Sequence, residues 1–231
     1  MSSPRLAVAG LSGDSGKTLL SLGIARSLRD RGLDVRTAKK GPDYIDAAWL
    51  AAASGAACVN LDTFMMSREG IGGGAQSLAG ADVVLVEGNR GLFDGVDADG
   101  THSTAELAKL LGSPVLLVVD VTKSTRTVAA QVLGCQTLDP QLSLGGVILN
   151  RVGTARQEAL VRSAVEQITG LLVLGAIPRL TGDDPLPGRH LGLVTVAEHP
   201  DGERAIARAA EAVARHVDLE RVLELAASAP V

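Results

Sequence analysis

Short apolar runs alternate with longer amphipathic segments along most of the chain. Each run is rich in Val, Leu, Ile or Ala, which is typical of strands buried in a parallel sheet. The runs are Leu6–Ala9, Val35–Ala38, Val83–Val86, Val115–Val119, Gly146–Leu149 and Leu171–Leu174. Helical spacing of apolar residues is found at Thr18–Arg31, Ser103–Leu111, Thr125–Leu133 and Arg156–Ile168. The alternation predicts an α/β fold with a doubly wound, mainly parallel sheet flanked by helices.

The remaining segments are predicted to be loops, one further strand and two C-terminal helices. Loops are expected at Gly70–Gly74, Gly88–Thr101 and Thr181–Gly188, where glycine, proline and aspartate cluster. A last strand is expected at Leu191–Val196, and helices at Ala205–Val217 and Leu219–Ala226. We interpret residues 1–231 as a single domain, a size that one α/β core can fill.

Composition excludes several classes of function. The net charge is −4 and there is no basic run, which argues against a nucleic-acid surface. No apolar stretch reaches the roughly 18 residues of a membrane span. The first residues show no signal-peptide pattern, so a cytoplasmic protein is expected. Cys58 and Cys135 are interpreted as free thiols, and the four histidines, which have no ligand spacing, as non-catalytic.

A glycine-rich loop separates the first predicted strand from the first predicted helix, with the sequence GLSGDSGKT from Gly10 to Thr18. Glycines let backbone N–H groups converge on phosphate oxygens, and a helix N-terminus adds partial positive charge. Lys17 is expected to reach the β- and γ-phosphates of a nucleotide, and Thr18 to bind Mg²⁺. The other expected nucleotide contacts in the loop are Ser12, Gly13, Asp14, Ser15 and Gly16.

This loop departs from the usual phosphate-binding pattern in two ways. Five residues separate Gly10 from Gly16, one more than usual. Asp14 also brings a carboxylate close to the expected phosphates. A glycine-rich turn without a ligand is the alternative, but the flanking strand and helix favour a phosphate-binding loop.

Charged residues end the two strands expected beside this loop. Glu87 closes an apolar run and precedes a glycine, as a Walker B acid does. Lys39 ends the second strand, where it would lie near the phosphates or, alternatively, on the surface. Asp43 and Asp46 follow the Gly-Pro turn three residues apart, so one helical turn would place both on one face. Asp46 could equally be the N-cap of a helix over Ala47–Ala53.

Later strand ends and one loop add weaker candidates. Asp94 lies between glycines in the loop after Glu87 and could simply form a turn. Asn150 ends a strand with an amide that can pair with the edge of adenine, or can serve as a turn or cap. Arg151 and the backbone at Pro178 are assigned to the same nucleotide site.

Seven segments resemble those of a known family. They are Gly10–Thr18, Lys39–Asp46, Asn60–Asp62, Glu87–Gly95, Ser103–Leu111, Gly146–Val152 and Arg189–Val194. Together they resemble cobyrinate a,c-diamide synthases and the corresponding hydrogenobyrinate enzymes, over essentially the whole chain. The paired GPDYID and EG-x-x-GLFDG segments are specific to that resemblance, whereas the phosphate loop alone would not be. The resemblance implies a P-loop NTPase fold similar to that of dethiobiotin synthetase.

The resemblance also implies a reaction and a set of roles. The reaction is ATP-dependent amidation of the a- and c-acetate carboxylates of a corrinoid through an acyl phosphate, with Mg²⁺ as cofactor. The metal ligands would be Thr18, Asp43, Asp46 and Glu87, with Lys17 and Lys39 beside the phosphates. Tyr44 and Ile45 would lie near the corrinoid, and Asp94 would support the acyl phosphate or its capture.

The resemblance does not identify the ammonia source, and two alternative functions are considered beside it. Members of the family continue into a glutaminase domain with a cysteine nucleophile, and neither Cys58 nor Cys135 has such a setting. Ammonia is therefore expected from glutamine through another domain or subunit. The macrocycle and a homodimer are left open. The alternatives are a dethiobiotin-synthetase-like ligase, which the GPDYID segment does not fit, and a ParA/MinD-like switch ATPase, which would carry a second lysine early in the loop.

Overall fold

A computed structural model describes residues 3–180, 188–189 and 192–230. Its main sheet has seven strands in the order β3-β2-β4-β1-β5-β6-β7, and all the pairings are parallel. The strands are β1 (Arg5–Gly10), β2 (Val35–Lys40), β3 (Cys58–Leu61), β4 (Val83–Glu87), β5 (Val115–Asp120), β6 (Leu144–Val152) and β7 (Val173–Pro178). The predicted doubly wound α/β fold is confirmed.

Helices cover both faces of this sheet. They are α1 (Lys17–Asp30), α2 (Tyr44–Ser54), α3 (Arg68–Gln76), α4 (Thr104–Leu111), α5 (Thr127–Leu138), α6 (Ala155–Thr169), α7 (Gly202–His216) and α8 (Leu219–Ala227). Successive residues of a strand point to opposite faces, so the two cores share each strand. On β1, Leu6 and Val8 pack with α1, α2, α7 and α8, whereas Ala7 and Ala9 pack with α3 to α6.

The segment between α2 and β4 differs from its prediction. Cys58–Leu61 was not predicted as a strand, because Asn60 interrupts its apolar pattern. The predicted loop at Gly70–Gly74 is wrong, since these residues lie within α3. The Ser67 side chain caps that helix by accepting a hydrogen bond from the Gly70 N–H at 3.1 Å. Ile71 and Ala75 are buried, and this packing outweighs the low helix propensity of the four glycines.

The end of the chain matches its prediction in part. Both C-terminal helices are present as α7 and α8. The predicted loop Thr181–Gly188 lies outside the described residues except for Gly188. Of the strand predicted at Leu191–Val196, Leu191 also lies outside them, and only Gly192–Leu193 (β9) is extended; it pairs antiparallel with Gly188–Arg189 (β8) in a separate small sheet.

Candidate functional site

The phosphate loop links β1 to α1 at the carboxyl edge of the sheet. Gly16 precedes the helix with φ 96°, and no side chain caps the first turn. A Cβ at Gly16 would lie 2.0 Å from Asn150 Nδ2, and one at Gly10 would lie 2.0 Å from Ser15 Oγ. Both positions therefore require glycine. The backbone is compact, and it leaves the N–H groups of the first helical turn free of side-chain caps, as anion binding requires.

Lys17 is held by the loop itself. Its Nζ donates a hydrogen bond to the Ser12 carbonyl oxygen at 3.0 Å, and the residue is 7% exposed. Burial lowers the pKa of Lys17, and the nearby carboxylates of Glu87 and Asp14 oppose that shift. An ammonium that is partly desolvated in this way interacts strongly with any anion that enters the loop.

A chain of polar contacts joins the loop to β4, β2 and α2. Thr18 Oγ1 donates to Glu87 Oε1 at 2.9 Å. Lys39 Nζ donates to the same oxygen at 2.7 Å, to Asp46 Oδ2 at 2.6 Å and to the Gly88 carbonyl oxygen at 3.2 Å. Sheet register explains this arrangement, because Lys39 on β2 is paired directly with Glu87 on β4. We call Thr18, Glu87, Lys39 and Asp46 the edge network.

Burial and charge determine the protonation of the edge network. Burial lowers the pKa of Lys39, but the attraction of Glu87 and Asp46 and their hydrogen bonds outweigh it, so that the pKa is raised overall. Burial and the charge of Glu87 raise the pKa of Asp46 to about 6, even with Lys39 beside it. The network therefore holds a permanently charged ammonium between two carboxylates.

One polar atom of the edge network has no partner among the residues that the structure describes. Glu87 Oε2 is buried and accepts no hydrogen bond from them, whereas Glu87 Oε1 accepts two. A buried carboxylate oxygen without a donor is costly unless a cation or water satisfies it. The Thr18 hydroxyl bonds the other oxygen of the same carboxylate, so the two residues together fit a magnesium ion that takes one or two protein oxygens and completes its shell with water and phosphate. Among the described residues, no group of three or more His, Cys, Asp or Glu side chains could hold a metal by itself, so an ion here would take most of its ligands from phosphate and water.

Asp43 has a structural role at the start of α2. Its Oδ1 accepts hydrogen bonds from the N–H groups of Ile45 and Asp46, both at 3.0 Å. Asp43 is thus the N-cap, and the alternative interpretation of Asp46 as the cap of a helix from Ala47 is wrong, because the helix already begins at Tyr44. Asp46 belongs to the first turn, where it reaches Lys39 instead.

Asn60 on β3 anchors the turn before α2 and was not among the predicted site residues. Its Nδ2 donates to the carbonyl oxygens of Gly41 at 2.7 Å and Asp43 at 3.1 Å. The contacts of Asn60 could not be expected from the sequence because β3 was not predicted. The Asn60–Asp62 motif, noted only as a family resemblance, was the available signal. Of the residues predicted near the substrate, Tyr44 is 71% exposed at this edge and Ile45 packs partly against the core.

Asp94 lies apart from the edge network, in the loop after β4. Its Oδ2 accepts a hydrogen bond from the Gly91 N–H at 2.8 Å, and its own N–H bonds to the Gly91 carbonyl oxygen. The turn foreseen as an alternative is therefore present. The residue is also exposed and lines a cavity with Lys40 and His102, so the turn leaves it accessible.

The residues predicted for the nucleotide base lie on β6 and β7. Asn150 Nδ2 donates to the Ser15 carbonyl oxygen at 2.9 Å, which ties β6 to the phosphate loop. Arg151, with φ 58°, pairs with Asp120 at 2.5 Å. Pro178 ends β7. Their contacts with a nucleotide stay predictions. Among the described residues, no helix is both long and apolar enough to span a membrane.

Comparison with protein families gives a match that covers most of the chain. The matching family is described as the CobQ/CobB/MinD/ParA nucleotide binding domain, and it aligns with residues 6–194. The match includes the phosphate loop, the edge network and Asn150.

Similar curated proteins carry two related names. The chain is 44% identical to the cobyrinate a,c-diamide synthase of Archaeoglobus fulgidus over 100% of the chain and 50% of that protein. It is 45% identical to the hydrogenobyrinate a,c-diamide synthase of Rhodobacter capsulatus over 97% of the chain and 52% of that protein. The resemblance inferred from the motifs is confirmed. The chain spans about half the length of the curated relatives it matches.

A solved structure supports the fold alone. Chloroplast FtsY from Physcomitrella patens superposes with a TM-score of 0.58 at 17% identity, over 90% of this chain and 65% of that one.

Proposed function

Because the chain belongs to the CobQ/CobB/MinD/ParA nucleotide-binding domain family, we propose that it is the ATP-dependent synthetase part of a corrinoid a,c-diamide synthase. In this proposal it amidates the a- and c-acetate carboxylates of cobyrinate or hydrogenobyrinate, as a step of cobalamin biosynthesis. The names of its relatives and their identity across this chain support the substrate class.

The observation that carries the proposal is the edge network. It connects the phosphate loop, through Thr18 and Glu87, to Lys39 and then to Asp46 of the GPDYID segment. A nucleotide-binding element and the segment that resembles the amidating enzymes thus share one set of contacts. A reaction that transfers phosphate from a nucleotide to a second substrate needs this proximity, because phosphoryl transfer depends mainly on positioning and on neutralised charge.

Each residue of the site has a role in this proposal. The loop N–H groups and Lys17 bind the ATP phosphates. Thr18 and Glu87 would hold Mg²⁺, which would neutralise phosphate charge, and Asp46 would add a second carboxylate beside it. Lys39 holds Glu87 and Asp46 in place through its hydrogen bonds to both carboxylates. Asp43 acts through α2, whose first turn it fixes, so it positions Asp46 rather than binding metal through the oxygen that caps the helix.

The chemistry has two steps. A carboxylate oxygen of the corrinoid attacks the γ-phosphorus of ATP, the bond to the bridging oxygen breaks, and ADP leaves with that electron pair. Ammonia then attacks the acyl carbon, loses a proton, and inorganic phosphate leaves to give the amide. Ammonia comes from glutamine through the part of the relatives that this chain does not cover, or through a separate subunit. This accords with the half-length matches.

The direct test supplies ammonium instead of glutamine. The 231-residue chain is incubated with cobyrinate, ATP, MgCl₂ and ammonium chloride, and the mono- and diamide are followed by mass spectrometry beside ADP release. We expect amide and ADP in equal amounts. ADP release without amide, or amide formation without ATP, would overturn the proposal.

Glu87→Gln separates the metal role from a general effect on folding. The amide keeps the size of the side chain but removes its charge, so the Mg²⁺ concentration needed for half-maximal rate should rise about tenfold or more. Glu158→Gln is the matched control, because Glu158 lies on α6 and pairs only with Arg162 among the described residues. An unchanged Mg²⁺ requirement in Glu87→Gln would contradict the assigned role.

A further inference from the structure

A cavity of about 430 Å³ lies beside the edge network, on the other side of β2. It is lined by Lys40, Asn89, Arg90, Asp94, Gly95, Val96 and His102. Three of these side chains carry a basic group, and one carries a carboxylate. None of the basic residues was singled out by the sequence patterns, and none belongs to the edge network.

Lys40 is the unusual member of this cavity. The residue is only 8% exposed, yet its side chain forms no hydrogen bond or ion pair with any other described residue. One oxygen of each nearby carboxylate, Asp62 and Glu106, already accepts a hydrogen bond from a backbone N–H group, that of Phe64 or His102. Burial lowers the pKa of Lys40, and the charges of Asp62 and Glu106 oppose that shift. The ammonium is therefore only partly solvated, and an anion bound in the cavity would give it a direct charged hydrogen-bond partner.

The other two basic residues sit on strained backbone. Arg90 has φ 50° and His102 has φ 63°, both in the left-handed region that side chains other than glycine seldom adopt. Residues held in this conformation cluster at ligand-binding sites. Arg90 is exposed and makes no ion pair within the described parts of the chain, whereas the His102 Nδ1 lies 3.1 Å from Thr63 Oγ1.

Exposed apolar side chains form a rim next to the basic residues. Val96 lines the cavity and is 62% exposed, and Phe64, 68% exposed, contacts the His102 ring edge-on with centroids 5.4 Å apart. Met65 is 67% exposed next to Phe64. The chain has only two Phe and one Tyr, and Phe64 is exposed beside this cavity. The cavity therefore suits a ligand that combines a carboxylate with an apolar body.

We propose that this cavity is a subsite for a non-reacting carboxylate of the substrate, with Lys40 as its principal ligand. The inference rests on the proposed function, since a corrinoid has more than one acetate side chain and an apolar macrocycle. While one carboxylate reacts beside the edge network, a second binds Lys40 and Arg90, and the ring contacts the rim.

The subsite makes Lys40 a specificity residue rather than a catalytic one. Replacing it by methionine keeps the aliphatic stem but removes the charge. A hydrogen-bonded ion pair of this kind contributes enough to predict a Kd for cobyrinate about tenfold to a hundredfold weaker. The KM for ATP should change less than about twofold, because the edge network is intact. Lys40→Arg should restore most of the affinity.

The experiment measures cobyrinate binding by calorimetry and KM and kcat with ammonium, for the full chain and three variants: Lys40→Met, Lys40→Arg and Lys109→Met. Lys109→Met is the matched control, because this substitution removes the same charge from a surface ion pair with Asp139. A second ligand, cobyrinate with its carboxylates converted to methyl esters, removes the negative charge from the ligand instead of the positive charge from the protein. The ester should bind wild type and Lys40→Met equally.

The outcomes separate the two proposals. If wild type binds and amidates cobyrinate but Lys40→Met binds it as tightly as Lys109→Met does, the subsite is refuted and the proposed function stands. An affinity loss that persists with the methyl ester would also refute it, because the effect would then not involve a carboxylate. If wild type neither binds nor amidates cobyrinate or hydrogenobyrinate, both proposals fall. Thermal unfolding checks that each variant is folded, and the Tm of Lys40→Met should be at least that of wild type.

Discussion

Lys39 should be among the most costly residues to neutralise in this protein. Its side chain is 2% exposed, and it lies between Glu87, 0% exposed, and Asp46, 15% exposed. In Lys39→Met these two carboxylates lose the ammonium that bonds them at 2.7 and 2.6 Å. Breaking a buried ion pair in this way costs about 3–5 kcal/mol. The expected fall in Tm is then roughly 6–20 °C for a chain of this size.

The loss should depend on pH, with a sign that follows from Asp46. Burial and the charge of Glu87 already raise the pKa of Asp46 to about 6, and removing Lys39 raises it further. Above the unfolded value of 3.8, the folded variant binds a proton that the unfolded chain has released, so its stability falls as pH rises through this window. In wild type this loss of stability is complete near pH 6, where Asp46 has released its proton. In the variant the loss continues to higher pH, because the pKa of Asp46 is higher. The deficit should therefore be larger at pH 8 than at pH 5.

Urea unfolding at pH 5 and pH 8 measures this effect. The single tryptophan, Trp49, is 1% exposed and reports the loss of the core by fluorescence, with far-UV circular dichroism as the second probe. Lys109→Met is again the control, and its surface pair predicts a loss below about 1 kcal/mol. Equal losses in both variants, or a Lys39→Met deficit that is the same at the two pH values, would refute the reasoning.

Three further predictions concern the phosphate loop and α2. Lys17→Ala should abolish ATP binding in calorimetry while the far-UV spectrum stays native; retained binding would contradict the phosphate role. Gly16→Ala should cost about 1–3 kcal/mol and weaken ATP binding, because φ is 96° and its Cβ would meet Asn150, whereas Gly13→Ala, with nothing within 4 Å of its Cβ, should be nearly neutral in urea unfolding. Asp43→Ala should lose about 1 kcal/mol through the missing cap, and Asp43→Asn should keep that stability; full amidation activity in Asp43→Asn would show that no charge is needed there.

Periodicity and glycine placement were sufficient to predict most of the fold. Five of the six predicted strands and the phosphate loop between β1 and α1 are where the pattern predicted them, whereas the strand predicted at Leu171–Leu174 is found at Val173–Pro178. The failures have local causes. β3 was missed because Asn60 faces the turn before α2 and breaks the run. α3 is a helix despite its glycines because Ile71 and Ala75 pack into the core. That packing depends on residues distant in the sequence, so the local pattern indicates a loop.

The candidate site was predictable as a set of residue types but not as a set of contacts. Carboxyl ends of neighbouring parallel strands share one edge, so Lys39 and Glu87 could be expected near the loop. Which donor meets which acceptor depends on strand register and on where α2 begins. The cap is Asp43 rather than Asp46 because α2 starts three residues earlier than the alternative interpretation had it, and sequence patterns locate helix ends less well than helix centres.

Lys39 and Lys40 show how the end of β2 serves both sides of the sheet. Adjacent strand residues point to opposite faces, so consecutive lysines deliver one ammonium to each side. Lys39 faces the α1 and α2 side and joins Glu87 and Asp46, whereas Lys40 lies on the α4 side and lines the cavity with Asp94. Their substitutions should accordingly separate: Lys39→Met should reduce stability, and Lys40→Met should reduce substrate affinity. A shift of β2 by one residue would exchange the two ammonium groups, which is why the Lys39–Glu87 pairing determines both sides of the site at once.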